Sequence, residues 1–333
     1  MIFRNVRPLA TLFAVALALA AVAGCASSQA SPTTPSVPAP VQNLEKTSIT
    51  VDDFPSVDSA GLYIAQMDGF FHDEGLTVKI NYADASQSTV AYIENGSADI
   101  SSADYVTYFD NELLQHAKLR IIAEASTLQP SQLEMLVAHG SKIDKVKELA
   151  GKTIAVAGHD DIATLLIDSL LTENNVSLKN VKVKPGFALP AIPALLNKHA
   201  IDAGPVPEPF VSEGEENLGV QQLADLDQGA TENFPIQGFA VTQAWAQKYP
   251  NTLRAFVAAL TEGQQVADTD RHAVELATEK FLQIPPVTAA VMALPAFPLS
   301  VDRQQLQRVV DGMVRFRFVP ASDASYNVSA MIG

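Results

Sequence analysis

The sequence predicts an α/β fold in which two similar lobes are each built on an open, mostly parallel sheet. From residue 48 to residue 203, short strand patterns and helical patterns alternate with brief connections, which is typical of such sheets. This order occurs twice along the chain, because a predicted helix end is followed by a short strand both at residues 95–100 and at residues 197–203. Asp99 and Asp202 lie in these two turns, where we expect them to satisfy backbone groups. Strand signals then stop near Phe239, and helical patterns continue to the C terminus.

The first lobe begins with alternating apolar residues and a clear helix start. The predicted elements are a strand at 48–52, a helix at about 60–67, a strand at 77–82, a helix at 86–94 and a strand near 99–101. Ser56 and Asp58 precede the first helix as N-cap candidates, and Asn95-Gly96 ends the second helix.

The second lobe repeats this order, and a helical tail follows it. The predicted elements are a strand at 151–157, a helix at 161–174, a strand at 181–183, a helix at 191–197 and a strand end at 201–203. Tail helices are predicted at 243–249, 251–268, 272–282 and 301–316. Their apolar residues recur every three or four positions, so each should cover a sheet face, and we expect the tail to pack on the first lobe.

The N-terminal residues have the layout of an export signal. Two arginines precede an apolar run at residues 9–23, which is short for a bilayer span and ends in small residues. The stretch Val22-Ala23-Gly24-Cys25 resembles the lipobox of bacterial lipoproteins, whose cysteine is acylated and becomes the first mature residue. We therefore expect cleavage of a signal peptide at 1–24, a lipid anchor on Cys25 and an extracytoplasmic protein held at the cell membrane. Residues 25–46 are rich in Ser, Thr and Pro and predict a disordered tether.

Charge and composition exclude several classes of function. The chain has 22 basic and 37 acidic residues, and cleavage after residue 24 removes Arg4 and Arg7 and leaves a net charge of −17. Nucleic acids and anionic lipid surfaces both require clustered lysine and arginine, so we expect neither as a partner. Cys25 is the only cysteine and the six histidines are scattered, so we predict no metal site and no cysteine catalysis. Nucleotide and hydrolase motifs are also lacking, so we predict no cofactor and no enzymatic activity.

Five stretches together resemble the solute-binding proteins of ABC importers for nitrate, sulfonate, taurine and thiamine precursors. The longest, at 60–78, reads Ala-Gly-Leu-Tyr-Ile-Ala-Gln-Met-Asp-Gly-Phe-Phe-His-Asp-Glu-Gly-Leu-Thr-Val. The others are Asn-Gly-Ser-Ala-Asp at 95–99, Glu-Leu-Ala-Gly-Lys-Thr-Ile-Ala-Val at 148–156, Ile-Asp-Ala at 201–203 and Glu-Pro-Phe at 208–210. The resemblance covers residues 48–210, and the lipobox fits the same family independently.

This resemblance implies the type II periplasmic binding protein fold, in which two α/β lobes are joined by two crossing strands around a central ligand cleft. It implies one lobe of residues 47–135 plus 241–333 and a second lobe of residues 140–236. The implied function is that of a binding lipoprotein, not an enzyme, which captures a small organic solute by hinge closure and delivers it to an ABC permease in the membrane. We expect it to act as a monomer.

Ligands of open α/β sheets bind outside the carboxyl ends of the strands. The ligand-binding residues predicted on this ground are Asp53, Phe54, Tyr63, Asp84, Ser102, Asp104, Tyr105, His159, Asp160, Phe187 and Glu208. They combine aromatic rings, which stack on flat ligands, with carboxylates, which accept hydrogen bonds from an amino group. Ser56, Asp58 and Ser86, near the same strand ends, are equally well explained as helix caps.

The ligand class and the class of protein both have alternatives. Helix N-termini in this family bind sulfonate or nitrate, but Asp160 and Asp161 stand at one such helix start and would repel an anion. The sequence therefore favours an aminated heterocycle such as a thiamine pyrimidine precursor, with taurine, alkane sulfonate or nitrate as the alternative. An enzyme on the same fold is a further alternative. Eukaryotic thiamine-pyrimidine synthases look similar but use a cysteine-rich motif, and menaquinone-pathway dehydratases share the lobes. A lipoprotein that has lost its ligand is the last alternative.

Overall fold

A computed structural model describes residues 41, 43–83 and 85–332. The predicted signal peptide, Cys25, most of the tether and the predicted ligand residue Asp84 lie outside the described residues. Within the described part of the chain, no helix is long and apolar enough to cross a bilayer.

The strands form two five-stranded sheets with the same layout. The first sheet contains, in spatial order, β2 (Thr77–Tyr82), β1 (Ser48–Asp53), β3 (Ile100–Asp104), β10 (Pro235–Thr242) and β4 (Leu119–Thr127). The second contains β7 (Lys182–Lys184), β6 (Thr153–Ala155), β8 (Ala203–Pro207), β5 (Leu133–Val137) and β9 (Gln221–Asp225). In each sheet the fourth strand in this order is antiparallel to both neighbours, and the other four share one direction. The expected pair of similar, mostly parallel sheets is therefore confirmed.

Helices cover both sheets. Lobe I, built on the first sheet, carries α1 (Ala60–Asp68), α2 (Phe70–Asp73), α3 (Ser86–Glu94), α4 (Tyr105–Leu114), α8 (Gln243–Lys248), α9 (Pro250–Thr269), α10 (Arg271–Leu282), α11 (Pro286–Val291) and α12 (Arg303–Phe316). Lobe II, built on the second sheet, carries α5 (Ile162–Glu173), α6 (Ile192–Asn197) and α7 (Phe210–Leu218). In the tail, α9 and α10 contact α1, and α12 contacts α4. The helix α12 also contacts α5 of lobe II.

The two lobes share a capping arrangement at the start of a central strand. Asp99 accepts a hydrogen bond from the backbone N–H of Thr50 in β1 at 2.9 Å, and Asp202 accepts one from the N–H of Thr153 in β6 at 2.8 Å. Each aspartate lies just before its own strand and fixes the beginning of the neighbouring one. The turn role predicted for this pair is confirmed.

The tail is held to lobe I where α9 crosses α1. A side chain at Gly263 of α9 would overlap the carbonyl oxygen of Gly61 in α1, so the two backbones touch directly. The next residue, Gln264, is buried and donates from Nε2 to the carbonyl oxygens of Glu124 and Ala125 in β4, both at 3.0 Å. Close backbone packing and these hydrogen bonds together fix the tail on the sheet.

The chain passes between the lobes twice. Residues 128–132 lead from β4 to β5, and residues 226–234 lead from β9 to β10. The two connections lie side by side, because the N–H of Leu128 donates to the carbonyl of Phe234 at 2.8 Å. The cleft described below opens next to these connections.

Candidate functional site

A cleft of about 860 Å³ lies between the lobes, at the carboxyl ends of the strands. Lobe I contributes the segments that follow β1, β2 and β3, together with residues 281–284 at the end of α10. Lobe II contributes the segments that follow β6, β7 and β8, and the connection at 128–132 completes the wall. Open α/β sheets bind ligands at this position, and the volume suits a small organic molecule.

Carboxylates line the cleft without a basic partner. The acidic lining residues are Asp58, Asp104, Asp161, Glu208 and Glu213. Among the described residues, no lysine, arginine or histidine belongs to the lining, and no group of three or more potential ligands is placed to hold a metal ion. Burial raises the pKa of Asp104 to about 6 and also raises the pKa of Asp58 and of Asp161. The cleft therefore favours a ligand that brings positive charge or N–H donors.

The N-termini of α4 and α5, which open on the cleft, are capped by the protein's own carboxylates. Asp104 caps α4, because its Oδ1 accepts from the N–H of Thr107 at 2.9 Å. Asp161 caps α5, and its two oxygens accept from the N–H of Thr164 at 2.9 Å and from the N–H of Gly158 at 2.8 Å. At each of these two helices, one N–H group that an anionic ligand would use is already occupied.

Glu208 joins the two lobes across the cleft. It follows β8 in lobe II, and its Oε1 accepts from the N–H of Ala293 at 3.0 Å. The loop that carries Ala293 belongs to lobe I, since nearby Ala296 exchanges two backbone hydrogen bonds of 3.0 Å with Thr127 of β4. On its own side, Glu208 accepts from the N–H of Ser212 at 3.0 Å and from the Ser212 hydroxyl at 2.7 Å. All three partners are donors, as an ionised carboxylate requires.

Aromatic rings form both walls of the cleft. The aromatic lining residues are Phe54, Tyr82 and Phe281 in lobe I and Phe187 and Phe210 in lobe II. Phe281 is supported from behind by Tyr63, with ring centroids 4.9 Å apart and planes inclined by 5°. The Tyr63 hydroxyl in turn donates to Asp53 at 2.5 Å, which fixes its ring. Rings on both walls suit a flat ligand held between the lobes.

A buried polar network lies directly behind the lobe I wall. Asp53 accepts from the Ser59 hydroxyl at 2.6 Å, and burial raises the pKa of Asp53 to about 6. Gln237 donates from Nε2 to the hydroxyl oxygens of Ser59 and Ser102, both at 2.8 Å. Its Oε1 accepts from Ser56 at 3.2 Å, and Ser56 and Gln237 both reach the cleft. The network holds the polar lining of this wall in position.

The predicted ligand residues occupy three environments. Those that line the cleft are Phe54, Asp104, Phe187 and Glu208. Those that are buried behind the wall are Asp53, Tyr63, Ser102 and Tyr105. The remaining described pair, His159 and Asp160, is exposed in the loop before α5, where Asp161 faces the cleft instead.

Several lining residues were not predicted as ligand residues. Asp58 lies next to a predicted strand end but was read as a helix cap, and Phe210 belongs to the Glu-Pro-Phe stretch at 208–210. Both could have been found from their positions. Gln132 comes from a connection between lobes, and Phe281 comes from the end of a tail helix. No local pattern in the sequence marks either of them.

Comparison with known proteins identifies the family and the fold. The family model described as NMT1/THI5 like matches residues 56–270. The structure is similar to the alkanesulfonate-binding protein SsuA from Xanthomonas axonopodis pv. citri bound to MOPS, with 16% identity, a TM-score of 0.73, and coverage of 87% of this chain and 99% of that chain. It is also similar to the periplasmic nitrate-binding protein NrtA from Synechocystis PCC 6803, with 15% identity, a TM-score of 0.74, and coverage of 87% and 86%.

A third similar structure is the ligand-binding component of an ABC-type import system from Staphylococcus aureus with zinc bound, with 12% identity, a TM-score of 0.74, and coverage of 86% of this chain and 97% of that chain. No curated protein sequence gives a significant match. The likeness to these structures confirms the predicted fold, and the family model spans more than half of the chain. This chain therefore belongs to the NMT1/THI5-like family and has the periplasmic binding protein fold.

Proposed function

We propose that this protein is the solute-binding component of an ABC importer and that it captures a small organic solute carrying amino nitrogens, such as an aminated heterocycle. It acts outside the cytoplasm, is not an enzyme, and presents its solute to a permease in the membrane. Membership of the NMT1/THI5-like family and the names of the similar structures support the transport role. The observation that carries the ligand class is the cleft with five carboxylates and, among the described residues, no basic lining residue.

The charge of the cleft argues against a sulfonate or nitrate ligand, although similar structures are named for both. A buried anion requires opposite charge or free hydrogen-bond donors, and its desolvation otherwise costs several kcal/mol. Here the N-termini of α4 and α5 already bind Asp104 and Asp161. An amino group or a ring N–H of the ligand would instead be attracted to the cleft carboxylates, because carboxylates accept hydrogen bonds from such groups. A thiamine-type pyrimidine precursor combines such groups with a flat ring that aromatic walls can hold.

Hinge closure follows from a ligand that contacts both walls. Contacts with Phe54 in lobe I and Phe187 in lobe II can form together only when the lobes are close, so ligand binding stabilises the closed form. A dissociation constant near 1 μM corresponds to about −8 kcal/mol of binding free energy. Hydrogen bonds to buried acceptors and the apolar area of one flat ring are sufficient for a value of this size.

Native mass spectrometry of protein purified without unfolding tests this proposal first. We expect a retained small molecule with a basic or amino nitrogen, and its mass should stay unchanged on incubation, because an enzyme on this fold would convert it. Calorimetry at matched salt and pH then compares an aminopyrimidine set with a sulfonate set. Tight binding of taurine or an alkane sulfonate, with no binding of the aminopyrimidines, would contradict the proposed ligand class.

We also propose that Cys25 carries the lipid anchor, because it follows an apolar run and a lipobox-like stretch. Two acyl chains on one cysteine hold a protein at a membrane more stably than one, since each buried methylene contributes about 0.8 kcal/mol. In Cys25→Ser, incorporation of radiolabelled fatty acid should be lost and the protein should leave the membrane fraction. The far-ultraviolet spectrum of the variant should be that of the wild type. Equal labelling of the variant would contradict the assignment.

A further inference from the structure

Gln132 lines the cleft, and one polar atom of its side chain has no hydrogen-bond partner among the described residues. Gln132 lies at the end of the connection 128–132, and only 2% of the residue is exposed. Its Nε2 donates to Oδ1 of Asp58 at 2.9 Å. Its Oε1 is buried and accepts no hydrogen bond within the described part of the chain. A buried acceptor left without a donor is costly, and of the described residues that carry such a buried side-chain atom, Gln132 is the one that lines this cleft.

The orientation of the Gln132 amide follows from its neighbour. An ionised carboxylate only accepts hydrogen bonds, so the amide has to turn its nitrogen toward Asp58. The carbonyl oxygen is then left facing away from Asp58. The backbone prevents the residue from moving aside, because the carbonyl of Gln132 accepts from the N–H of Glu208 at 2.8 Å.

Several other polar side chains in the cleft have protein partners. Asp104 and Asp161 cap their helices, and Glu208 accepts from Ser212 and Ala293. The amide of Gln237 is satisfied at both of its polar atoms. Among the described lining residues, the buried side-chain atom that remains free for a ligand is Oε1 of Gln132.

We propose that Gln132 determines specificity in this cleft by accepting a hydrogen bond at Oε1 from an N–H group of the solute, with Asp58 holding the amide in the accepting orientation. The inference rests on the proposed function and deepens it. It assigns to the solute an amino group, or another N–H donor, that points at the connection between the lobes. A solute that presents a methyl group or an acceptor at this position leaves Oε1 unpaired and is rejected.

The position of Gln132 couples recognition to the hinge. The residue belongs to one of the two connections, its side chain contacts Asp58 in lobe I, and its backbone contacts Glu208 in lobe II. A hydrogen bond from the solute to Oε1 is therefore made to the segment about which the lobes move. Recognition of the N–H group and stabilisation of the closed form occur at one residue.

Calorimetry with a matched pair of probes tests the inference. The probes are 4-amino-2-methylpyrimidine and 2,4-dimethylpyrimidine, which differ by one amino group against one methyl group of similar size. The full-length wild-type protein, in detergent, should bind the amino probe about ten- to a hundredfold more tightly, as expected for one hydrogen bond to a buried acceptor. In Gln132→Met, which keeps the size and removes the acceptor, the ratio of the two affinities should fall to about one.

Two further variants separate specificity from folding. Asp58→Asn with Gln132→Met removes the acceptor without leaving a buried charge unpaired, and it should also lose the preference for the amino probe. Gln129→Met alters a glutamine of the same connection that bonds to Leu128 and Asn233 instead, and it should keep the wild-type ratio.

The outcomes distinguish the inference from the proposed function. If the wild type prefers the amino probe and Gln132→Met keeps that preference, the inference is wrong and the proposed function stands. Equal binding of both probes by the wild type also overturns the inference, as does loss of both probes from both Gln132 variants, since that result indicates a structural role. If the wild type binds neither probe and binds taurine, both the inference and the proposed ligand class are wrong.

Discussion

Replacing Glu208 by glutamine should shift the protein toward its open form. The Glu208 carboxylate accepts three hydrogen bonds, two from Ser212 in its own lobe and one of 3.0 Å from the N–H of Ala293 in lobe I. In Glu208→Gln, one oxygen becomes an NH2 group. In either amide orientation, at least one of the three donors then faces another donor, and the negative charge that strengthened the remaining bonds is gone.

The size of the effect follows from the lost contact. A hydrogen bond to a charged group contributes about 1.5–3 kcal/mol. If the glutamine turns its nitrogen toward Ala293, the contact between the lobes loses this amount, and the ratio of closed to open molecules falls by about ten- to a hundredfold. The solute then has to repopulate the closed form, so its apparent affinity falls by at most the same factor.

Small-angle scattering of the ligand-free protein and calorimetry with the solute measure the two consequences. Glu213→Gln is the matched control, because Glu213 also lines the cleft and the substitution removes the same charge, while among the described residues no donor of lobe I bonds to the Glu213 carboxylate. We expect a larger radius of gyration and a larger loss of affinity in Glu208→Gln than in Glu213→Gln. Equal losses of affinity in the two variants, with an unchanged radius of gyration, would show that only the removed charge matters and would refute the bond between Glu208 and Ala293.

Three other perturbations give separate tests. Gly263→Ala should lower the free energy of unfolding by about 1–3 kcal/mol, because the new methyl group overlaps the α1 backbone. The control is Gly312→Ala, whose methyl group would lie 3.3 Å from the Leu165 side chain and should change the free energy of unfolding by at most about 1 kcal/mol. Urea unfolding measures both variants, and equal midpoints would contradict the close α1–α9 packing. Burial raises the pKa of Glu124 to about 7 from 4.5, so the folded protein binds this proton more tightly than the unfolded chain, and the free energy of unfolding falls as the pH rises from about 4.5 to 7. In unfolding curves taken at each pH, Glu124→Gln should remove roughly 3 kcal/mol of this fall, whereas the substitution of an exposed residue, Glu216→Gln, should leave it unchanged. An unaltered pH profile in Glu124→Gln would contradict the buried position of Glu124. Saturating solute should reduce the radius of gyration of the wild type, and an unchanged radius at saturation would argue against hinge closure.

The sequence was most informative about the parallel parts of the two sheets. Alternating strands and capped helices at 77–82 and 86–94 leave a local pattern, and the structure has β2 and α3 at these positions. The strands β4 and β9 and the helices α4, α7 and α11 were not predicted. The helix α11 is only six residues long, so it carries a weak periodic signal.

The candidate site was predictable as a place more than as a set of side chains. Strand ends locate the cleft, but successive residues of an extended chain point to opposite sides, so Phe54 faces the cleft while its neighbour Asp53 faces α1. Local sequence does not tell which of the two sides is the cleft. Gln132 and Phe281 reach the site only through tertiary packing, from a connection and from a tail helix. Long-range contacts of this kind leave no periodic trace in the chain.

The place of β10 between β3 and β4 has a consequence for biosynthesis. β10 is the last strand of the described chain, so the first sheet is incomplete until residues 235–242 have been made. The strands of the second sheet all lie within residues 133–225, a continuous segment. We therefore expect lobe II to be able to fold before lobe I is complete, while β3 and β4 have unpaired edges that can pair with other chains. A cell that makes this protein has to protect its N-terminal half from aggregation for as long as the C-terminal third is still being synthesised.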